Sequence, residues 1–215
     1  MKNKFGFLLF AGLEELDLVG PWEMVSLWSK EYDGPKEIIT VSQAGGSIIC
    51  SKGLKIISDY SFLSCPDLDY LLIPGGIGTR KEVDNQELIS YIQKQSKVCK
   101  NLLSVCTGSF LLQAAGLLNG RKSTTHWKSL DRLRAFPEVE VIEERYVKDG
   151  NIWTSAGISA GIDMTLAFIA ETANKETAGK VQLQAEYFPE NINYVDFTKS
   201  SNLPAYLKKS IPARS

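Results

Sequence analysis

Histidine is all but absent: His126 is the single one in a chain of 215 residues. The four cysteines, at positions 50, 65, 99 and 106, show none of the paired spacings of zinc sites or disulfide frameworks. A metal site is therefore not expected, and unpaired thiols point to a reducing compartment, by default the cytoplasm. No apolar run approaches the roughly 20 residues needed to cross a bilayer. The start combines a basic end with the apolar stretch 5–10, but acids follow at once, so it reads as a buried first strand rather than a signal peptide. Net charge is missing too. Lys and Arg total 24 against 25 Asp and Glu, and the resulting −1 offers no field for nucleic acid or an anionic membrane. No internal repeat and no Pro/Gly/Ser linker divides the chain, so residues 1–190 are read as one domain. The proline-containing stretch 191–215 is read as a loosely packed tail.

What is present is ordinary in amount and informative in order. Hydrophobic residues make up 44% and charged residues 23%, typical of a globular protein, and a chain of this length buries about 70% of its unfolded surface. Strands are expected at 5–10, 38–42, 70–73, 102–105, 139–142, 145–147 and 152–155, with a tight turn at Asp149-Gly150-Asn151. A short edge hairpin is expected around Ser51-Lys52-Gly53. Helices are expected from Pro21 through Trp28 (Pro21 in the first turn), over 85–97, from Gly108 to a stop at Asn119-Gly120, and over 158–172 and 175–186. The alternation predicts an α/β fold: a doubly wound, mostly parallel open sheet with helices on both faces, a flavodoxin-like sandwich.

In such sheets binding groups gather beyond the carboxyl ends of the strands. Three segments meet there: the loop Leu13–Pro21 with Glu14, Glu15 and Asp17, the glycine loop Gly75–Thr79, and the turn Cys106–Ser109. Cys106 closes the apolar run Leu102-Leu103-Ser104-Val105 and precedes a helix. That turn projects a nucleophile, and the helix N-terminus favours thiolate, which lowers such cysteines from about 8.5 to roughly 3.5–7.5. The plain alternative is a small buried hydrophobe. Gly75 and Gly76 are either turn chemistry alone or a source of backbone N–H groups for developing negative charge. The second role is favoured beside a nucleophile. His126 lacks an acidic partner nearby and is expected to be a structural, hydrogen-bonded residue.

These residues resemble the ThiJ/PfpI superfamily, which has the class I glutamine amidotransferase-like fold. Within it, Leu16-Asp17-Leu18-Val19-Gly20-Pro21, Ser104-Val105-Cys106-Thr107-Gly108-Ser109, Ala115 to Arg121, Thr124-Thr125-His126-Trp127 and Val181-Gln182-Leu183-Gln184 are similar to the isocyanide hydratases. Thr107 stands where protease-like members carry histidine, and Asp17 where many members carry glutamate. The resemblance implies a cofactor-free hydration of a small-molecule isocyanide. Cys106 would attack its terminal carbon to give a thioimidate. Asp17 would position or deprotonate water and shuttle protons, while Thr107 orients the pair, and an N-formamide leaves. Two alternatives stand beside it. One is a ligand-sensing domain of the kind found in AraC-type regulators, although the stretch after Glu186 is too short for their DNA-binding domain. The other is a glyoxalase or stress protein of the same superfamily, which the aspartate counts against. The resemblance also implies a homodimer. The helix after Asp17 carries Trp22, Val25 and Trp28 on one arc and Met24 and Leu27 on another, an apolar surface wider than one sheet face needs.

Overall fold

The computed structural model describes residues 3–189, 203–204 and 206–207. The first strand, β1 (Lys4–Leu8), is buried from Phe5 onward, as an apolar run in the middle of a parallel sheet must be. Helix α1 (Glu15–Glu31) begins six residues earlier than Pro21. Glu15 and Asp17 occupy its first turn, where negative side chains suit the positive end of the helix dipole. The expected loop around Asp17 is therefore helical, and Pro21 lies inside the helix instead of opening it. Close packing accounts for the small residues there. A Cβ on Gly20 would fall 2.8 Å from Ile162, and one on Gly161 would fall 3.1 Å from the Pro21 ring.

After β2 (Glu37–Ser42), the expected hairpin forms from β3 (Gly46–Ile49) and β4 (Lys55–Ser58), paired antiparallel as a separate ribbon. The chain then adds a two-residue edge strand, β5 (Tyr60–Ser61), beside β2. Next come β6 (Tyr70–Ile73), the short α2 (Thr79–Glu82) and α3 (Gln86–Ser96). Asn85 caps α3, its side-chain oxygen accepting from the Leu88 N–H at 3.3 Å. Strand β7 (Asn101–Val105) leads into α4 (Ser109–Ala114), which is shorter than the apolar pattern predicts. Gly116 sits at φ +75°, and the Leu117 N–H reaches back to the Leu112 carbonyl. That left-handed closure ends the helix before the expected stop at Asn119-Gly120.

The strand expected at 139–142 contracts to a pair outside the main sheet. Strand β8 (Lys122–Ser123) precedes α5 (Leu130–Arg134), and β9 (Glu140–Val141) pairs with β8. The chain closes with the hairpin β10 (Tyr146–Asp149) and β11 (Ile152–Ser155), then α6 (Ala160–Thr172) and α7 (Lys175–Gln184). The main sheet runs β10-β11-β7-β6-β1-β2-β5, parallel except at β10. This is the expected doubly wound, mostly parallel sheet. Helices α1, α6 and α7 pack together on one side, and α2, α3 and α4 on the other.

Phe168 of α6 anchors the first side. Its ring meets Phe5, Tyr70, Trp28 and Trp153 edge-on, with centroids 5.2–6.2 Å apart, geometry worth about 0.5–1.5 kcal/mol per pair beyond burial. Both apolar arcs of α1 are used: Met24, Val25 and Trp28 are buried, and Trp22 and Leu27 pack against the same core. Of the tail expected over 191–215, only Leu203, Pro204, Tyr206 and Leu207 fall within the described residues. Tyr206 is buried in a small cluster with Ala156 and Ala160.

Candidate active site

Strands β1, β6 and β7 end side by side, so the segments that follow them converge, as the sheet order requires. Cys106 stands directly after β7 at φ +57°, a left-handed conformation that costs a non-glycine residue about 1–3 kcal/mol. The strain is held by hydrogen bonds around it. The Cys106 N–H donates to the Ala156 carbonyl at 3.3 Å. Its own carbonyl accepts from Thr125 Oγ1 at 2.9 Å and Ser109 Oγ at 3.3 Å. The side chain is thereby turned into a cavity of about 510 Å³ whose walls include Thr107, Gly76, Thr79, His126 and Ile158.

Asp17 lies beneath this cavity, fully buried. Its Oδ2 accepts from the Gly75 N–H at 2.9 Å, and its Oδ1 has no hydrogen-bond partner among the described residues. Burial pushes this carboxyl up to about 8, against the pull of the Gly75 N–H and with the nearby Glu14 charge adding to the rise. Burial, and then the Asp17 charge, also push the Cys106 thiol well up, although the Thr107 N–H and hydroxyl pull the other way. The expected low-pKa thiolate is thus not the resting form. The reason is local: Cys106–Gly108 is a single 3₁₀ turn and α4 has six residues, too little helix to offset desolvation beside an acid.

The glycine turn meets Cys106 and Asp17 differently from expectation. The Gly75 N–H is taken by Asp17, and the Gly76 N–H donates to Thr107 Oγ1 at 3.0 Å. Both donors are spent on positioning side chains rather than left open for developing charge. Gly75 must be glycine for space: a Cβ would fall 2.5 Å from the Thr107 nitrogen and 2.9 Å from Asp17 Oδ2. Thr79, the last residue of the expected Gly75–Thr79 loop, is buried and donates to Thr107 Oγ1 at 3.1 Å.

His126 both caps a turn and lines the cavity. Its Nδ1 accepts from the Lys128 N–H at 3.3 Å, and burial together with the Lys128 charge lowers its pKa, so the ring is neutral at pH 7 with its proton on Nε2. Gly157 separates it from the thiol. A Cβ there would lie 2.4 Å from His126 Cδ2 and 3.0 Å from Cys106 Sγ. Gly157→Ala is therefore expected to lose about 1–3 kcal/mol of stability through overpacking and to slow alkylation of Cys106 by iodoacetamide. Denaturant titration and timed peptide mapping read both, and an unchanged alkylation rate would contradict this placement. Among the described residues no three His, Cys, Asp or Glu side chains gather as metal ligands.

The sequence profile of the DJ-1/PfpI family matches residues 3–171. The chain is 36% identical over 198 residues to the isonitrile hydratase of Pseudomonas putida, covering 88% of this chain and 80% of that one. It is also 33% identical over 183 residues to the transcriptional regulator GbdR of Pseudomonas aeruginosa, covering 83% of this chain and 49% of the regulator. The chain therefore spans about half the length of that regulator. Among solved structures, a ThiJ/PfpI family protein from Pseudomonas syringae superposes with a TM-score of 0.83 at 31% identity, covering 98% of this chain and 84% of that one. Drosophila melanogaster DJ-1beta shares the fold, with a TM-score of 0.76 at 18% identity over 88% of this chain and all of that one.

Proposed function

The chain belongs to the DJ-1/PfpI family, and from that premise we propose that it hydrates an isocyanide to an N-formamide, with Cys106 as nucleophile. The observation that carries this reading is the buried pair of Cys106 and Asp17, a thiol beside a carboxyl that burial raises to about 8, so that it both releases and takes up a proton close to neutral pH. An isocyanide is neutral and needs both a nucleophile and a proton at its terminal carbon, which a general acid–base beside a thiol supplies. As the sulfur–carbon bond forms, Asp17 carboxylate takes the thiol proton and passes it to the same carbon, giving a thioimidate. Water then adds, its hydroxyl going to carbon and its other proton to nitrogen. Collapse of the adduct expels the Cys106 sulfur, which regains the hydroxyl proton, and the formamide departs. Thr107, fixed by Gly76 and Thr79, offers its N–H and hydroxyl to the sulfur. No step calls for a cofactor.

Incubation with a panel of isocyanides, an unsubstituted alkyl isocyanide and isocyanoacetate among them, is expected to yield the matching formamides, seen by NMR; absence of formamide from every one sinks the proposal. The similarity to GbdR supports a second reading, a ligand-sensing domain. That reading expects binding without turnover, and ligand affinity retained in Cys106→Ser. Four free cysteines fit a reducing compartment such as the cytoplasm.

The homodimer is also proposed, on a different surface from the arcs of α1. Leu16 and Val19 on α1 and Ile49, Leu54 and Ile57 on or beside the β3–β4 ribbon are exposed. Glu15 ties the two elements together, accepting from the Lys52 N–H at 2.6 Å. A second copy covering this apolar surface would sit beside the Asp17 turn. Light scattering is expected to give twice the monomer mass, and Val19→Asp with Ile57→Asp to lower it to one; a monomeric wild type would refute the dimer.

A further inference from the structure

The mouth of the Cys106 cavity carries three cations that the chemistry above does not use. Arg80 on α2, Arg132 on α5 and Lys128 in the turn before α5 all line it. Each is exposed, and none forms an ion pair with a carboxylate among the described residues. Two are held in place by aromatic faces. The Arg132 guanidinium lies 4.1 Å from the Phe110 ring centroid and the Lys128 ammonium 5.1 Å from that of Trp127. The acid on the same wall, Glu14, is engaged by Lys52 and Ser51. His126 is neutral and Asp17 largely protonated at pH 7. In a chain of net charge −1, unbalanced positive charge is thus concentrated where a substrate enters.

An unsubstituted alkyl isocyanide gives these three groups nothing to bind. We propose that the substrate is an isocyanide bearing a carboxylate, which Arg80, Lys128 and Arg132 hold at the mouth while the isocyano carbon reaches Cys106. The isocyanide half of this statement rests on the hydratase reading; the carboxylate half rests on the charged wall alone. A guanidinium stacked on a ring presents its N–H fork to a carboxylate.

The test compares isocyanoacetate with its methyl ester, which keeps the isocyano group and removes the charge. The expected kcat/KM ratio favours the acid by roughly tenfold or more, the scale of one charge-assisted contact. The ratio is expected to shrink at high salt and in the triple variant Arg80→Gln, Lys128→Gln, Arg132→Gln, while Arg132→Lys alone retains most of it. An ester as good as the acid, or a ratio indifferent to salt, overturns the proposal. If neither compound is hydrated, the hydratase reading fails, and a second arm decides the anion preference without catalysis. Here Cys106 is alkylated with iodoacetate and with iodoacetamide, and the rate ratio is compared with that of free cysteine. A ratio raised severalfold and lost in the triple variant supports a carboxylate-binding mouth; a ratio equal to or below that of free cysteine refutes it.

Discussion

Asp17→Asn is expected to give a protein that is more stable than the wild type and nearly inactive. The unfolded chain releases the Asp17 proton near its ordinary value of 3.8, whereas the folded protein keeps it to about 8. Between those limits the folded state binds more protons, so stability falls as pH rises, by about 1.4 kcal/mol per pH unit at most. The stability contributed by this group is complete below the lower limit and is lost by the upper one. Asparagine keeps the acceptor for the Gly75 N–H and never ionises. At pH 8 the variant is expected to gain about 2–4 kcal/mol, roughly 5–15 °C in Tm for a chain of this size, and at pH 4 almost nothing. Turnover should fall by roughly 10²–10⁴ for want of the proton shuttle. In the wild type, the rate should rise with pH through about 8 as Asp17 becomes able to accept the thiol proton. Thermal melts across pH read the first effect. A variant that gains no stability at pH 8 would show that the buried carboxyl is ionised at no cost.

Replacing Cys106 separates the chemistry from the strain. Cys106→Ala and Cys106→Gly should both lose activity by more than roughly 10⁴, because the covalent route is gone. Their stabilities should differ in an unusual direction. Alanine normally outranks glycine in a fold, but at φ +57° the Cβ is the liability and glycine escapes it. Cys106→Gly is therefore expected to exceed Cys106→Ala by about 1 kcal/mol in urea unfolding. The reverse order would mean that the turn relaxes once the thiol is removed and stores no strain in the native protein.

Much of this was legible in the residues. Apolar runs bounded by turn signals mark the four central strands, and the rule that loops meet at the carboxyl ends of parallel strands brings Asp17, Gly75 and Cys106 together from sequence order alone. The errors have physical causes. Proline favours the first turn of a helix, which makes Pro21 look like an opener, whereas α1 starts at Glu15 and carries Pro21 inside it, packed against Gly161. The two-residue strand β5 carries too little pattern to detect. The thiol's pKa followed from a motif that suggests a helix N-terminus, yet burial beside Asp17 decides it, and burial is a tertiary property. Gly75 and Gly76 lie beside Asp17 and Thr107, but which acceptor each N–H meets depends on residues 58 and 31 positions away along the chain. Arg80, Lys128 and Arg132 have no common motif, and only folding brings them to one mouth.

The Asp17–Gly75 and Thr107–Gly76 hydrogen bonds carry a consequence for how such a protein can diverge. Asp17 and Thr107 are positioned by main-chain donors, which no substitution removes except proline, while the cations that line the Cys106 cavity stand on α2, on α5 and in the turn before it, none of them in the main sheet. Inheritance can therefore conserve the Asp17–Cys106–Thr107 cluster and exchange the outer wall of the cavity almost independently. Changes at positions 80, 128 and 132 alter the charge of that wall without disturbing the main-chain bonds that hold Asp17 and Thr107.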